Sequence, residues 1–424
     1  MTSVSGAATA LAVRLGALRR KPHAGPAGAL EVRHAPSRFG RTASRATVTS
    51  ACALGLLAAV ASPSFAATAH HASEHPGYSG RRGHAVFVQT DSPAGNQVVA
   101  YERSAAGTLT QTGIYPTGGL GGVLAGSVVD HLASQGSLVL DRTDRTLIAV
   151  NAGSNTISVF GVRGDRLWLR QVVSSGGIFP VSIAVHGGLV YVLNALGGGT
   201  VQGFAVSRGQ LVSLAGSARA LGLDPVATPQ YTNTPGQVAF SPDGSQLIVT
   251  TKANGNDVDV FGVGRDGYLT ATPAVNYEPG AVPFAIAFSP AGDVVVAEAG
   301  TNALATFALQ PSGVLTQLAI VSTGQSATCW VTAIGSLLYA SNAGSASESA
   351  ATVGPAGSLT LLGQTATDGG PVDSAADPGG RFLYVQTGSA GIVDEFAVGH
   401  DGALTQLGSV LVPGAAGGEG IAAS

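Results

Sequence analysis

At 424 residues the chain has room for two or three average domains, or for one longer repeat fold. Charged residues are only 11% and the formal net charge is −3, which excludes a basic nucleic-acid surface and an acidic disordered arm. The 61 glycines, with Ser, Thr and Ala between short apolar runs, favour many short strands and tight turns over long amphipathic helices.

Residues 1–48 are rich in Arg and Ala and hold one acid, Glu31. Arg41 and Arg45 then precede the apolar run Ala51–Ala61, which is too short to span a bilayer. Ser64-Phe65-Ala66 follows, with small residues placed for a cut after Ala66. This order predicts an export leader over residues 1–66 and a secreted or cell-envelope, extracytoplasmic protein. Translation starting downstream, at Val48 for example, would shorten a leader that is otherwise long. Residues 67–84 carry His70, His71, His75 and His84 among small residues. With no cysteine or carboxylate pattern to complete a metal site, they read as a flexible His-containing linker. No later segment has the continuous apolar length of a membrane span. Cys52 falls in the leader, so Cys329 is the single thiol of a mature chain, which excludes an internal disulfide. Beside Trp330 in an apolar run, it reads as a buried small side chain.

From residue 85 onward one phrase returns about every 45 residues, the sign of stacked copies of one small unit. It reads ISVF-GVRGDRLWL at Ile157–Leu169, VDVF-GVGRDGYLT at Val258–Thr270 and LATF-ALQPSGVLT at Leu304–Thr316. A clean copy, Pro180–Leu221, parses into four β-rich runs: Val181–Val185, Leu189–Leu193, Thr200–Val206 and Leu211–Ala215. Four strands joined by hairpin turns form the blade of a β-propeller. The aromatic of the third strand recurs at Tyr101, Phe160, Phe204, Phe261, Phe307 and Phe396, with Thr352 in its place once. The leucine opening the fourth strand recurs at Leu109, Leu167, Leu211, Leu269, Leu315, Leu359 and Leu404, which makes seven copies. The first unit, Ala85–Gly118, lacks its first strand, and the terminal Gly420–Ser424 resembles one. The prediction is all-β: a seven-bladed β-propeller over residues 85–424 with four-stranded antiparallel blades, the first completed by the C-terminal strand.

Two interruptions of the period, Leu120–Gly136 and Gly222–Pro235, fall on the face shared by blade-joining loops and the loops between second and third strands. Long loops on one face of a rigid scaffold are where binding resides. Polar residues recur after the second strands at Asn151, Asn194, Glu298 and Asn342, with Thr251-Lys252 and Gln386-Thr387 in two other copies. They are expected to ring the channel mouth, joined from the blade-joining loops by Phe179, Tyr231, Asn233, Tyr277, Glu278, Phe284 and Trp330. Such a neutral, hydrogen-bonding, aromatic rim suits sugars or lactones better than polyanions. An Asn after a strand also caps turns through its own backbone, whereas Glu298 and Lys252 are poor turn formers. No G-x-S-x-G, H-E-x-x-H or phosphate-loop pattern is present, and no His, Asp and Ser stand out as a triad. No cofactor and no metal site is implied.

The units Gly236–Phe261 and Pro283–Phe307 resemble the seven-bladed lactonase family, which includes propeller-type 6-phosphogluconolactonases and fungal muconate-cycle lactonising enzymes. The resemblance covers essentially all of residues 85–424. Family members with lactonase activity carry Pro-Arg-His at the start of a mid-chain blade and Asn-Glu after its second strand. The matching places here read Pro235-Gly236-Gln237 and Thr251-Lys252. The resemblance implies a 6-phosphogluconolactonase-like carboxylic ester hydrolase acting on a sugar lactone or related cyclic ester. Glu298 would be the base and Lys252 the electrophilic aid, because lactone hydrolysis needs an activated water and donors for the oxyanion. Asn151, Asn194, Asn342, Tyr231, Asn233, Glu278 and Trp330 would bind the substrate. The alternative is a non-catalytic extracytoplasmic propeller binding a glycan, small ligand or protein. Either way the expected partner is a small-molecule lactone or glycan, with no nucleic acid, and the chain is expected to be a monomer.

Overall fold

The computed structural model describes residues 84–143 and 145–424. The predicted leader, its cut after Ala66 and all but the last residue of the His-containing linker lie outside the described residues. From Ala85 onward the strands form seven antiparallel sheets, the blades of a propeller: blade 1 around residues 85–116, then in chain order blade 2 over residues 138–174, blade 3 over 178–220, blade 4 over 238–277, blade 5 over 283–322, blade 6 over 328–366 and blade 7 over 371–411. Blade 3 shows the unit: Ile178–His186, Leu189–Leu196, Thr200–Ser207 and Gln210–Ser213, each paired with the next. Its outer edge is broken, and a two-residue strand, Arg219–Ala220, pairs with the other end of Thr200–Ser207.

Blade 1 closes the ring as its sequence predicted. Its own strands are Ala85–Gln89, Gln97–Arg103 and Leu109–Pro116, and Ile421–Ala423 adds the innermost strand, Val88 facing Ile421 and Val86 facing Ala423. This covers the edge that Ala85–Gln89 would otherwise expose and ties the last segment of the chain to the first blade, which locks the ring.

The recurring aromatics Tyr101, Phe160, Phe204, Phe261, Phe307 and Phe396 are all buried between sheets. In five blades the pairing of third and fourth strands slips by one residue at this level, as at Val159/Phe160 and Thr306/Phe307. A bulge adds local twist, which a blade needs to pack face to face with its neighbours. The glycine two residues before the fourth-strand leucine (Gly107, Gly267, Gly313, Gly357, Gly402) has φ between 72° and 95°, open to glycine at no steric cost. Three second-strand tyrosines use this turn as an anchor. Tyr191 donates to Gly267 O at 2.7 Å, Tyr339 to Gly402 O at 3.0 Å and Tyr384 to Gly107 O at 2.7 Å. Each bond runs to the next blade, and the last crosses the ring closure.

One buried group is poorly served. Glu348, on the third strand of blade 6 (Ser347–Val353), is fully enclosed, and neither carboxyl oxygen makes a hydrogen bond of ordinary geometry. Burial pushes its pKa up to about 8, the Ser341 hydroxyl opposite opposes that rise, and the charge of Asp394 in blade 7 adds a smaller push. The folded chain therefore keeps a proton that the unfolded chain has released. Stability associated with this group is complete below the ordinary glutamate range and is lost as pH rises towards about 8. Glu348→Gln is expected to leave urea stability at pH 4 nearly unchanged and raise it at pH 9 by on the order of 2 kcal/mol. Equal effects at both pH values would show that Glu348 is not held neutral.

Candidate functional site

The first interruption, residues 120–136, does not hang over the channel as a free loop but is built into it. Gln135 faces blade 6, giving Nε2–H to Val331 O at 2.9 Å and accepting Val331 N–H at 3.0 Å. Its own N–H reaches Gly236 O, at the start of blade 4. Ser134 Oγ donates to Val181 O of blade 3, and Ser182 Oγ donates to Gln135 O. Trp330 Nε1–H closes on Ser134 O at 2.6 Å. Against blade 7 the approach is so close that a Cβ on Gly388 would meet Val129 O at 1.6 Å. The inserted segment therefore ties together blades 3, 4, 6 and 7 and fills the axis of the ring.

What remains open is an off-axis pocket of about 540 Å³ between the two insertions and blades 4 to 6. The first insertion gives Val128, Val129 and Asp130, and the second gives Tyr231 and Thr232. Blade 4 gives Lys252; blade 5 gives Val282, Phe284 and Ala299; blade 6 gives Cys329, Trp330 and Ala343. Phe284 and Trp330 pack edge to face, ring centroids 4.9 Å apart. The loops from both interruptions thus share one face and one pocket, as their positions in the repeat required.

Lys252 stands one residue past the position where three other blades place an asparagine, a position that Thr251 takes here. Only 1% exposed, with φ of 53° in a region unfavourable to a branched-off side chain, it opens a short helix, Lys252–Gly255. Its ammonium donates to Ala133 O at 2.5 Å, Tyr231 O at 2.8 Å and Thr234 Oγ1 at 3.2 Å, and lies 5.1 Å from the Phe284 ring centre. All three N–H donors are thus used to pin both insertions to blade 4. Burial pulls its pKa down, and the Asp130 charge opposes that pull. Lys252→Met is expected to cost about 3–5 kcal/mol, since it strands three acceptors and a buried carboxylate. A urea titration showing less than about 1 kcal/mol lost would mean that the ammonium is not the pin.

Asp130 was not singled out from the sequence, and it is the group the pocket depends on. It is buried, with Oδ1 accepting the Leu132 and Ala133 N–H groups, both at 2.8 Å, and Oδ2 accepting that of Ser134 at 3.0 Å. Burial raises its pKa, and the three N–H bonds and Lys252 hold the rise to about 6. A carboxylate has about four acceptor positions, so one remains for a ligand or water. One signal could have found it: Asp130 is the sole acid in the longest break of the repeat.

Behind Asp130 lies a store of buried acids. Ser134 Oγ also lies within hydrogen-bond distance of Glu419 Oε2, at 3.1 Å, and Glu419 Oε1 accepts Gly136 N–H at 3.0 Å. Glu419 is pushed well up by burial and by the charges of Asp373, Asp130 and Asp91. Burial likewise lifts Asp373 to about 7 and Asp91 to about 8. Among the described residues no group of three or more His, Cys, Asp or Glu side chains is arranged to hold a metal ion.

The other sequence-predicted residues are placed differently from the expected ring. Asn151 is fully buried and bonds Thr156 Oγ1, Ser158 Oγ and the Asn96 amide. Asn342 is equally enclosed by Thr328, Ser347 and Ser349. Asn194 is buried against Ser175 O. These three brace strand ends and blade junctions and do not line the pocket; Asn151 packs against Gly119 and Asn194 against Gly177, in the links between blades. Glu298 is 3% exposed, accepts Thr301 Oγ1–H at 2.8 Å and sits beside Glu278, away from the pocket lining. Burial raises Glu298, and burial and Glu298 together raise Glu278. Asn233 turns back on Pro229 O in its own short helix, Gln230–Asn233. Of the predicted rim, Lys252, Tyr231, Phe284 and Trp330 meet in the pocket.

Fold and pocket together define a closed seven-bladed β-propeller whose inserted loops build a pocket on one face of a plugged ring. The chain belongs to the lactonase family of seven-bladed β-propellers, whose profile matches residues 126–417. Among solved structures it is similar to the periplasmic gluconolactonase PpgL of Pseudomonas aeruginosa, at 20% identity and a TM-score of 0.63 over 80% of this chain and 98% of that one. A Bacteroides uniformis protein, provisionally assigned as a 6-phosphogluconolactonase, shares 20% identity at a TM-score of 0.64, covering 81% of this chain and 100% of that one. A Lactobacillus plantarum protein gives 21% and 0.64, covering 81% and 99%. These likenesses show the fold. No curated protein sequence matches the chain. Among the described residues no helix is long and apolar enough to cross a membrane.

Proposed function

We propose that the protein hydrolyses a lactone or related cyclic ester in the pocket between its two insertions, with Asp130 as general base and Lys252 as the positive charge beside it. The carrying observation is Asp130, a carboxylate raised to about 6 that borders a 540 Å³ pocket with Lys252 close enough to shift its titration. A base poised near neutral pH is suited to activating water. Asp130 thus takes the role that the sequence suggested for Glu298, whose carboxyl is turned to Thr301.

In the proposed reaction, water attacks the ester carbonyl carbon while Asp130 takes its proton. The Lys252 charge stabilises the resulting oxyanion through the low-dielectric pocket, since its N–H groups are already engaged. The ring C–O bond then breaks, and the proton passes from Asp130 to the departing ring oxygen, giving an open hydroxy acid. Family membership supports this chemistry, and the Arg-Ala leader supports its taking place outside the cytoplasm.

Acid release from a panel of γ- and δ-lactones, sugar-derived and alkyl, tests the reading on the full chain. At least one lactone is expected to open faster than its uncatalysed rate. No turnover of any member would overturn hydrolysis. The saturation of Lys252 by three protein acceptors favours one second reading, a propeller that binds such ligands without opening them.

A further inference from the structure

We infer that the ligand of this pocket carries an apolar substituent, an acyl or alkyl chain on a lactone ring, and is neither a bare sugar lactone nor a phosphorylated one. The inference rests on the proposed reading for the lactone ring and on the pocket wall for the rest.

The wall is carbon. Val128, Val129, Val282, Phe284, Trp330 and Ala343 face the space. The polar groups among them are largely spent on the protein itself. The Trp330 indole N–H is held by Ser134 O, the Lys252 N–H groups by three oxygens, and Asp130 by three backbone N–H groups. A polyol brought here would find the unpartnered Ser127 hydroxyl and the one open acceptor position of Asp130, too few for a ring of hydroxyls, and each hydroxyl left buried and unpaired would cost about tenfold or more in affinity. A phosphate would find no arginine in the lining and one lysine whose donors are taken.

The volume points the same way. About 540 Å³ lies in the range of pockets for drug-sized ligands, more than a bare lactone ring fills. At the rim, Val128 is 82% exposed while also lining the pocket. An exposed valine at the lip of a carbon-walled pocket is where an apolar chain gains by covering surface.

The test uses the full chain and a series of γ-butyrolactones bearing acylamino chains of increasing length, with glucono-δ-lactone for comparison. Calorimetric affinity and ring opening are measured on each. Affinity is expected to rise about three- to fourfold per methylene until the pocket is full. Glucono-δ-lactone is expected to bind at least about a hundredfold more weakly than the longest chain. Ala343→Phe, which fills the pocket, is expected to flatten the chain-length dependence. Chain-length dependence without any ring opening would support this inference and remove hydrolysis. Ring opening of glucono-δ-lactone with affinity indifferent to chain length would overturn it and leave hydrolysis standing.

Discussion

Deleting Gly420–Ser424 is expected to cost on the order of 5 kcal/mol or more, against a total of about 5–15 kcal/mol for a folded domain. The strand it removes, Ile421–Ala423, is buried along its length and is the inner wall of blade 1. Its loss strips Val86–Val88 of a pairing partner and removes the 2.8 Å bonds from Gln89 N–H to Gly420 O and from Ser424 N–H to Ala85 O. Each backbone group left buried and unpaired costs about 1–3 kcal/mol. Ile421→Ala alone is expected to cost about 2–4 kcal/mol, the ordinary penalty for a cavity at a buried aliphatic. Urea unfolding measures both. A deletion variant with the wild-type midpoint would show that the ring closes without its last strand.

Asp130→Asn is expected to lower kcat for lactone opening by about 10²–10⁴-fold, the range for loss of a positioned general base. The amide matches the carboxylate in size, yet it cannot take a proton from water. The substitution is expected to touch binding little, because Asp130 is only 5% exposed and most of the residues that line the pocket with it are apolar. The effect is therefore expected in kcat more than in KM. Asp130 is held by Leu132, Ala133 and Ser134 N–H groups, and an Asn side chain turned to present its oxygen keeps two of those bonds. Circular dichroism and urea stability of the variant separate lost chemistry from lost structure.

The ring was readable in the sequence for a physical reason. Each blade solves the same packing problem, so Phe160, Phe261 and Phe307 recur at one position and Leu167, Leu269 and Leu315 at another. The closing strand was readable because the first unit lacked a first strand and Gly420–Ser424 supplied one. The pocket was less readable, because its contacts join residues far apart in the chain. Lys252 meets Ala133 across 119 residues, and Gln135 meets Val331 across 196. Such pairs leave no period. Asn151, Asn194 and Asn342 misled for a related reason: an asparagine at a strand end can serve a ligand or its own turn, and here the buried side chains serve their blades. Asp130 sat in the one stretch where the repeat gave no frame of reference.

The pH dependence of kcat/KM, measured on wild type and Asp130→Asn with the same lactone, bears most directly on catalysis at this pocket. Asp130 is raised from 3.8 to about 6, so it is protonated and inactive as a base at pH 4 and free to accept a proton above neutrality. The wild-type profile is expected to climb through about pH 6 as Asp130 ionises and to fall again above neutrality as Lys252, lowered by burial to about 7, loses its charge, and Asp130→Asn to remain low with the rising limb gone. An Asp130→Asn enzyme that keeps both the wild-type rate and the wild-type rise would contradict lactone opening by Asp130.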